Sequence, residues 1–246
     1  QGKSFRRVAL DTSRKVLYGV DNFDYSYFVD FLNLTQDNNL IDSPDIVACT
    51  GATNNVTRIK LLNNFDETNK SEFIALFKNN GSSGAWSKLS KIEISFSDNP
   101  YVENLYTPSL SCNALNQLES LSYDVTDFDL IESLSEELTL IGVANSSSAD
   151  HIAEIYSFGS DGFAPLDTML FPSRPNAIKF FDAGDGSMSV AVGLSDGGGC
   201  YIELLDVDGK VIQNSNKLHI ADGYSVLDVE VAGEEILLSL GINGVQ

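Results

Sequence analysis

The 246-residue sequence predicts an all-β protein, and three observations carry that expectation. Short runs rich in β-branched and aromatic residues recur along the whole chain; clusters of Asn, Asp, Ser and Gly separate them; and helical spacing of apolar residues is nearly absent. A content of 43% hydrophobic and 10% aromatic residues is enough for a sizeable core and excludes a disordered tail.

In order, strands are expected over Phe5 to Asp11, Lys15 to Val20 and Tyr25 to Leu34, and then over Thr57 to Leu62, Glu72 to Lys78 and Leu89 to Phe96. Tyr101 to Glu119 resists this reading: Pro108 and the run Cys112 to Leu118 suggest a loop with one helical turn. Strands resume at Ser120 to Asp127, Glu137 to Ala144, His151 to Phe158, Ala177 to Phe181, Met188 to Gly193, Cys200 to Leu205 and Lys210 to Gln213. Ser225 to Val231 and Glu235 to Leu240 complete the set.

The strands repeat. A shift of 47 residues lays Val143-Ala144 on Val190-Ala191, Ile155 on Ile202 and Asp161-Gly162 on Asp208-Gly209. A period of about 40 to 50 residues is the signature of propeller blades. A strand ending in small residues, Ile141-Gly142-Val143-Ala144, suits a place where blades crowd towards an axis, and an Asp-Gly turn closes a hairpin because Gly tolerates positive φ. The expected fold is a β-propeller of four-stranded blades, each of roughly 40–47 residues. Units near 4–47, 48–99, 100–135, 136–175 and 176–223, with a start at 224, make five blades and part of a sixth in one domain over 1–246. The last unit stops after two strands, so the expectation is that further chain or another protein supplies the missing ones.

The stretch Leu138 to Ile212 resembles two tandem FG-GAP or VCBS-type repeats of the kind that build integrin α propellers. The matching pieces are Val143-Ala144-Asn145-Ser146, the Phe158 to Phe163 turn, Pro175 to Phe181, the acidic loop Asp182 to Gly186, and Val190 to Gly193. EAR (EPTP) propeller repeats share much of the pattern. The resemblance covers 75 residues and implies an extracellular propeller whose acidic loops bind Ca²⁺. Asp182 and Asp185 are the metal candidates it marks, since alternating Asp and Gly supplies oxygen ligands on a tight turn. The loop departs from the pattern: it is one residue short, and Ser189 stands where a late Asp belongs.

The remaining polar groups read as structural. Asp206 to Gly209 is a hairpin turn, with Lys210 to neutralise it. Asp124, Asp127 and Asp129 alternate partly with apolar residues and are expected on the solvated face of a strand. His151 and His219 have no ligand neighbours at metal spacing. No G-x-S-x-G elbow or phosphate loop is present, and Gly197-Gly198-Gly199 reads as a turn or a close approach of backbones. Five N-x-[ST] sequons occur at Asn33, Asn55, Asn69, Asn80 and Asn145; in a secreted eukaryotic chain, Asn80 and Asn145, both in expected turns, are the glycan candidates. Trp86 is either packed on a blade or a carbohydrate or peptide platform. Cys49, Cys112 and Cys200, with no C-x-x-C pair, are packed thiols or one disulfide plus a free thiol.

A net charge of −20 repels nucleic acid and anionic membranes, and no apolar run reaches the roughly 18 residues of a membrane span. The first functional expectation is a non-catalytic extracellular or cell-surface propeller for protein–protein adhesion or structural assembly, partnered by another protein or by the rest of its own chain. The alternatives are an intracellular, cytoplasmic scaffold propeller and a propeller hydrolase or lyase acting on polysaccharide.

Overall fold

The computed structural model describes residues 5–11, 16–21, 26–30, 47–48, 56–62, 70–78, 87–95, 112–121, 124–134, 138–145, 150–159, 162–182, 187–195, 197–220, 223–233 and 235–242. Among these there is no helix, and every sheet is an antiparallel meander whose strands follow chain order. Strands β1 (Phe5–Asp11), β2 (Val16–Asp21), β3 (Ser26–Asp30) and β4 (Val47–Ala48) form the first sheet. The second holds β5 (Val56–Leu62), β6 (Lys70–Lys78), β7 (Ser87–Ser95) and β8 (Cys112–Leu121). The third holds β9 (Val125–Glu132), β10 (Thr139–Asn145), β11 (Ile152–Gly159) and β12 (Gly162–Leu170). The fourth holds β13 (Pro175–Asp182), β14 (Met188–Leu194), β15 (Cys200–Leu205) and β16 (Val211–Leu218); β17 (Tyr224–Ala232) and β18 (Glu235–Ile242) form a two-stranded fifth. Successive four-stranded meanders of this kind are propeller blades, and the fold is of the β-propeller class.

The chain divides into two compact units, Gln1–Ser120 and Leu121–Gln246. In the first, β1 packs on β5. Strand β6 is apolar on both faces, with Phe73, Ile74, Ala75, Leu76 and Phe77 all buried, and Leu89 and Ile92 of β7 join them. Its one buried acid, Glu72, is paired with Lys91 of β7.

In the second unit the first strands of successive sheets pack side by side, β9 on β13 and β13 on β17. Between the third and fourth sheets lies a core of Leu140, Ile155, Phe171, Phe180, Val190 and Val192; between the fourth and fifth lies a smaller one of Ala177, Ala191, Cys200, Val226 and Val229. The small residues of each second strand permit this approach: a Cβ on Gly142 would stand 2.7 Å from Ile178 Cδ1 and 2.9 Å from Phe180 Cζ. Gly193 meets Val226 in the same way one sheet later. The crowding expected at Ile141 to Ala144 is therefore real, and its cause is the first strand of the next blade.

The expectation for Asp127 and Asp129 is corrected. Both are buried, at 5% and 4% exposure, and neither faces water. Asp127 Oδ2 accepts the Ile178 N–H at 3.2 Å and Asp129 Oδ2 accepts the Phe180 N–H at 3.0 Å. Strand β13 ends its sheet, so these amides point away from the β14 ladder and need partners from elsewhere. Farther out, Asp167 Oδ2 of β12 accepts the Val211 N–H of β16 at 2.9 Å. Thr126 Oγ1 lies 3.2 Å from the Pro175 carbonyl, and Asn176 Nδ2 donates to the Val226 carbonyl at 2.7 Å. Lys179 Nζ sits 2.9 Å from Glu230 of β17 and 3.9 Å from Asp129. An alternation of acid and apolar residues looks the same whether the acids meet solvent or the bare amides of a neighbouring strand, which is why the pattern misled. Asp124, just before β9, is half-buried.

Three other expectations change. Cys112–Leu121 is a strand, not a loop with a helical turn, so 100–135 is not a blade: β8 completes the second sheet and β9 opens the third. Four four-stranded sheets and one hairpin are seen among the described residues, rather than five blades and part of a sixth. Strand β12 has no counterpart in the expected set, because Pro165 and Asp167 interrupt it and most of it is exposed; an outermost strand tolerates proline on its free side.

Asp127→Ala and Asp129→Ala should each lower stability by about 1–3 kcal/mol, because each leaves a buried amide without an acceptor. Urea melts of the two variants check this, and an unchanged midpoint in both would remove the carboxylates from the account of how the sheets are joined.

Candidate functional site

Of the two metal candidates that the sequence marks, the structure describes one. Asp182 is the last residue of β13, pairs across the ladder with Met188 and is exposed, while Asp185 lies outside the described residues. Among the described residues no three His, Cys, Asp or Glu side chains come together to hold a metal ion. Asp206 has a structural role: its Oδ1 accepts the N–H groups of Asp208 at 3.0 Å and Lys210 at 2.8 Å, closing the β15–β16 turn over Gly209 at φ 85°. The Gly197 to Gly199 segment is a tight turn, with φ of 75° at Gly197 and 89° at Gly199, and a side chain at Gly198 would overlap Ser173 and Leu194.

Asn145 is not in a turn. It closes β10 and is buried at 2% exposure, a place for a packed amide rather than for a bulky glycan. Asn33, Asn55, Asn69, Asn80, Trp86 and Cys49 lie outside the described residues, and Cys112 is described only as a residue of β8. His151 precedes β11 and its carbonyl accepts the Phe171 N–H; His219 follows β16 and is exposed.

Cys200 is a free, buried thiol packed against Ala177, Ala191 and Val226, and burial pushes its pKa up to about 11. Two further acids, one half-buried and one buried, escaped the sequence reading. Glu154 of β11 is held above the usual carboxylate range by burial, an effect partly offset by its hydrogen bond with Tyr156. Glu203 of β15, 5% exposed, sits two residues from Tyr201, the reverse order of the same pair. In each, Oε2 has no hydrogen-bond partner among the described residues. The signal was present as Glu-x-Tyr and Tyr-x-Glu in corresponding third strands.

The surface feature that stands out is the β17–β18 hairpin. Strands β10 and β14, the second strands of complete blades, are buried along nearly their whole length. Strand β18 is equally apolar, Glu-Ile-Leu-Leu-Ser-Leu-Gly-Ile, yet Leu237 is 51% exposed, Leu240 43% and Ile242 61%. Leu227 of β17, at 48%, adjoins Gly241 on the face that carries Leu237. Among the described residues β17 is the sole ladder partner of β18. The hairpin thus exposes apolar side chains on both faces, Leu237 and Leu227 on one and Leu240 and Ile242 on the other.

The class that fold and surface define is a β-propeller with an exposed apolar edge. No family model matches the chain. No curated protein matches it either. Among solved structures it is similar to BBS1N in complex with ARL6DN, a mercury-soaked crystal, with a TM-score of 0.47 and 12% identity over 94% of this chain and 60% of that one. The lead-soaked form of the same complex gives 0.40 and 13%, covering 92% and 72%. Sqt1 of Saccharomyces cerevisiae gives 0.38 and 11%, covering 96% of this chain and 79% of that one. This chain thus spans about 60% of the length of the BBS1N chain in the mercury-soaked complex. None of the three identities exceeds 13%, and the likeness concerns the fold alone.

The raised pKa values set pH windows. Glu154 is disfavoured as an anion when folded, so its contribution is present at acid pH and is lost as pH rises through its folded value. Glu154→Gln should therefore raise the melting temperature at pH 7, with the gain vanishing near pH 4; a gain independent of pH would point to packing instead. The Cys200 thiol is favoured as the neutral form, so stability should fall between pH 9 and about 11 in the parent and stay flatter in Cys200→Ala.

Proposed function

We propose that this chain is a non-catalytic protein-interaction propeller, an intracellular scaffold that presents the β17–β18 hairpin to a partner protein. The exposure of Leu237, Leu240 and Ile242 in a mostly apolar second strand carries the reading. Two further observations support it. Four of the acids serve the fold: Asp127, Asp129 and Asp167 hold backbone amides of the next sheet and Asp206 closes a turn. Cys200 is a packed free thiol, which fits a reducing compartment.

The extracellular adhesion reading rests on the repeat resemblance and asks for more: Ca²⁺ at Asp182 and Asp185, and a glycan at Asn80. A thiol count under denaturing conditions separates the two. Three free thiols support the scaffold, and a Cys49–Cys112 disulfide supports adhesion.

The interaction reading is tested by affinity capture from an extract, comparing the parent with Leu237→Lys/Leu240→Lys. Both positions are exposed, so the double variant should fold as the parent does. Its captured set should shrink to background, and an identical set from both proteins would rule out the hairpin as an interaction surface.

A further inference from the structure

We propose that Glu203 is the anionic ligand of a buried site for a monovalent alkali cation, sodium or potassium, in the gap between the third and fourth sheets. This inference goes beyond the interaction reading and does not depend on it.

Glu203 lies in the middle of β15, is 5% exposed and pairs across the ladder with Val190 of β14. It shares its face of the strand with Leu205, a member of the core between the third and fourth sheets, and with Tyr201, which packs against that core. The carboxylate therefore stands among apolar groups, and its Oε2 has no hydrogen-bond partner among the described residues. A charge withdrawn from water needs a counter-charge and polar partners. The lysines and the arginine of the second unit do not supply one: Lys179 is held by Glu230, while Arg174, Lys210 and Lys217 are exposed. Asp167, the acid that reaches this sheet from β12, has both oxygens on amides, Oδ1 accepting the Thr168 N–H at 2.8 Å and Oδ2 that of Val211.

The backbone beside Glu203 is built for an oxygen-seeking ion. Ile202 pairs with Asn216 and Leu204 with Ile212, so the single residue Glu203 faces three on β16, Gln213, Asn214 and Ser215. Such a bulge takes main-chain carbonyls out of the ladder next to the carboxylate. Carbonyls together with a carboxylate suit hard cations, and backbone carbonyls can replace the hydration shell of potassium. Charge sets the valence. One carboxylate is neutralised by one positive charge, whereas a divalent ion would leave an excess charge in an apolar core.

The position recurs. Glu154 of β11 pairs with Val143, and the 47-residue shift between blades carries Val143 onto Val190, the partner of Glu203. The Glu154 Oε2 also lacks a partner among the described residues, and β11 meets a bulge in its own fourth strand between Ile155 and Tyr156. An acid at one register of two successive third strands, each beside a bulge, is a feature of the blade and not of one residue.

The test is thermal unfolding of the purified protein in potassium, sodium and tetramethylammonium chloride at equal ionic strength, with calcium chloride as a fourth arm. Potassium or sodium should raise the melting temperature by about 4 °C or more over tetramethylammonium, saturably, and Glu203→Gln should abolish the difference. Crystals of the parent soaked in thallium(I), which takes the place of potassium, should show an anomalous peak at the Glu203 carboxylate, so the proposal stays testable if the variant does not fold. Equal melting in the three monovalent salts overturns it, as does stabilisation by calcium alone. Thallium at the surface and none at Glu203 would be an adventitious ion only, and overturns it too.

Discussion

A propeller sheet begins with a strand whose outer backbone edge has no ladder partner, and in this protein the acids of the preceding sheet fill that need. Asp127 and Asp129 hold the amides of Ile178 and Phe180 at the inner end, and Asp167 holds that of Val211 towards the rim. The apolar core between the third and fourth sheets lies between these two sets of contacts. Burial drives the sheets together without direction, whereas the carboxylate–amide contacts fix how far one sheet slides along the next. The close passage of Gly142 beside Ile178 and Phe180 depends on that alignment, since a slip of one residue would bring a different side chain against a position with no room for it.

The acidic composition gains a partial structural explanation from this. An excess of 35 acids over 15 bases first reads as a property of the surface and its solubility. Several of these acids are instead internal acceptors. Where a base is available it is shared: Lys179 reaches Glu230 in the next sheet and lies near Asp129 in the previous one, so one side chain spans three sheets. Ionised acceptors bind amides more strongly than neutral ones, which suits Asp to a joint made of few contacts.

Much of the architecture was legible in the sequence and some of it could not have been. Strands such as Phe5–Asp11 and Cys200–Leu205 follow from their own β-branched and aromatic residues and the polar turns around them. The small-residue run in β10 announced a close approach, and the structure supplies the residues that approach. Strand β8 was hidden because Cys-Asn-Ala-Leu-Asn-Gln-Leu-Glu has apolar spacing that suits a helix, and only pairing with β7 makes it a strand. The buried acids were illegible for a related reason: local alternation reports that a strand has two faces and is silent about what covers each. The exposed hairpin was legible in part, since its incomplete blade pattern was visible, but the apolar exposure of Leu237 and Ile242 is a fact about neighbours and not about the segment itself.

The joint between sheets has a polarity, and it matches the direction of synthesis. In the contacts from the third sheet to the fourth, the carboxylate belongs to the earlier segment and the amide to the later one. On a ribosome the acceptors of β9 would emerge before the donors of β13 exist, so the fourth sheet condenses onto acceptors already in place. At the next joint the polarity is reversed, since the Asn176 amide of the earlier sheet donates to the Val226 carbonyl of the later one. The joint between the third and fourth sheets is in that sense a vector, set by which segment carries the carboxylates.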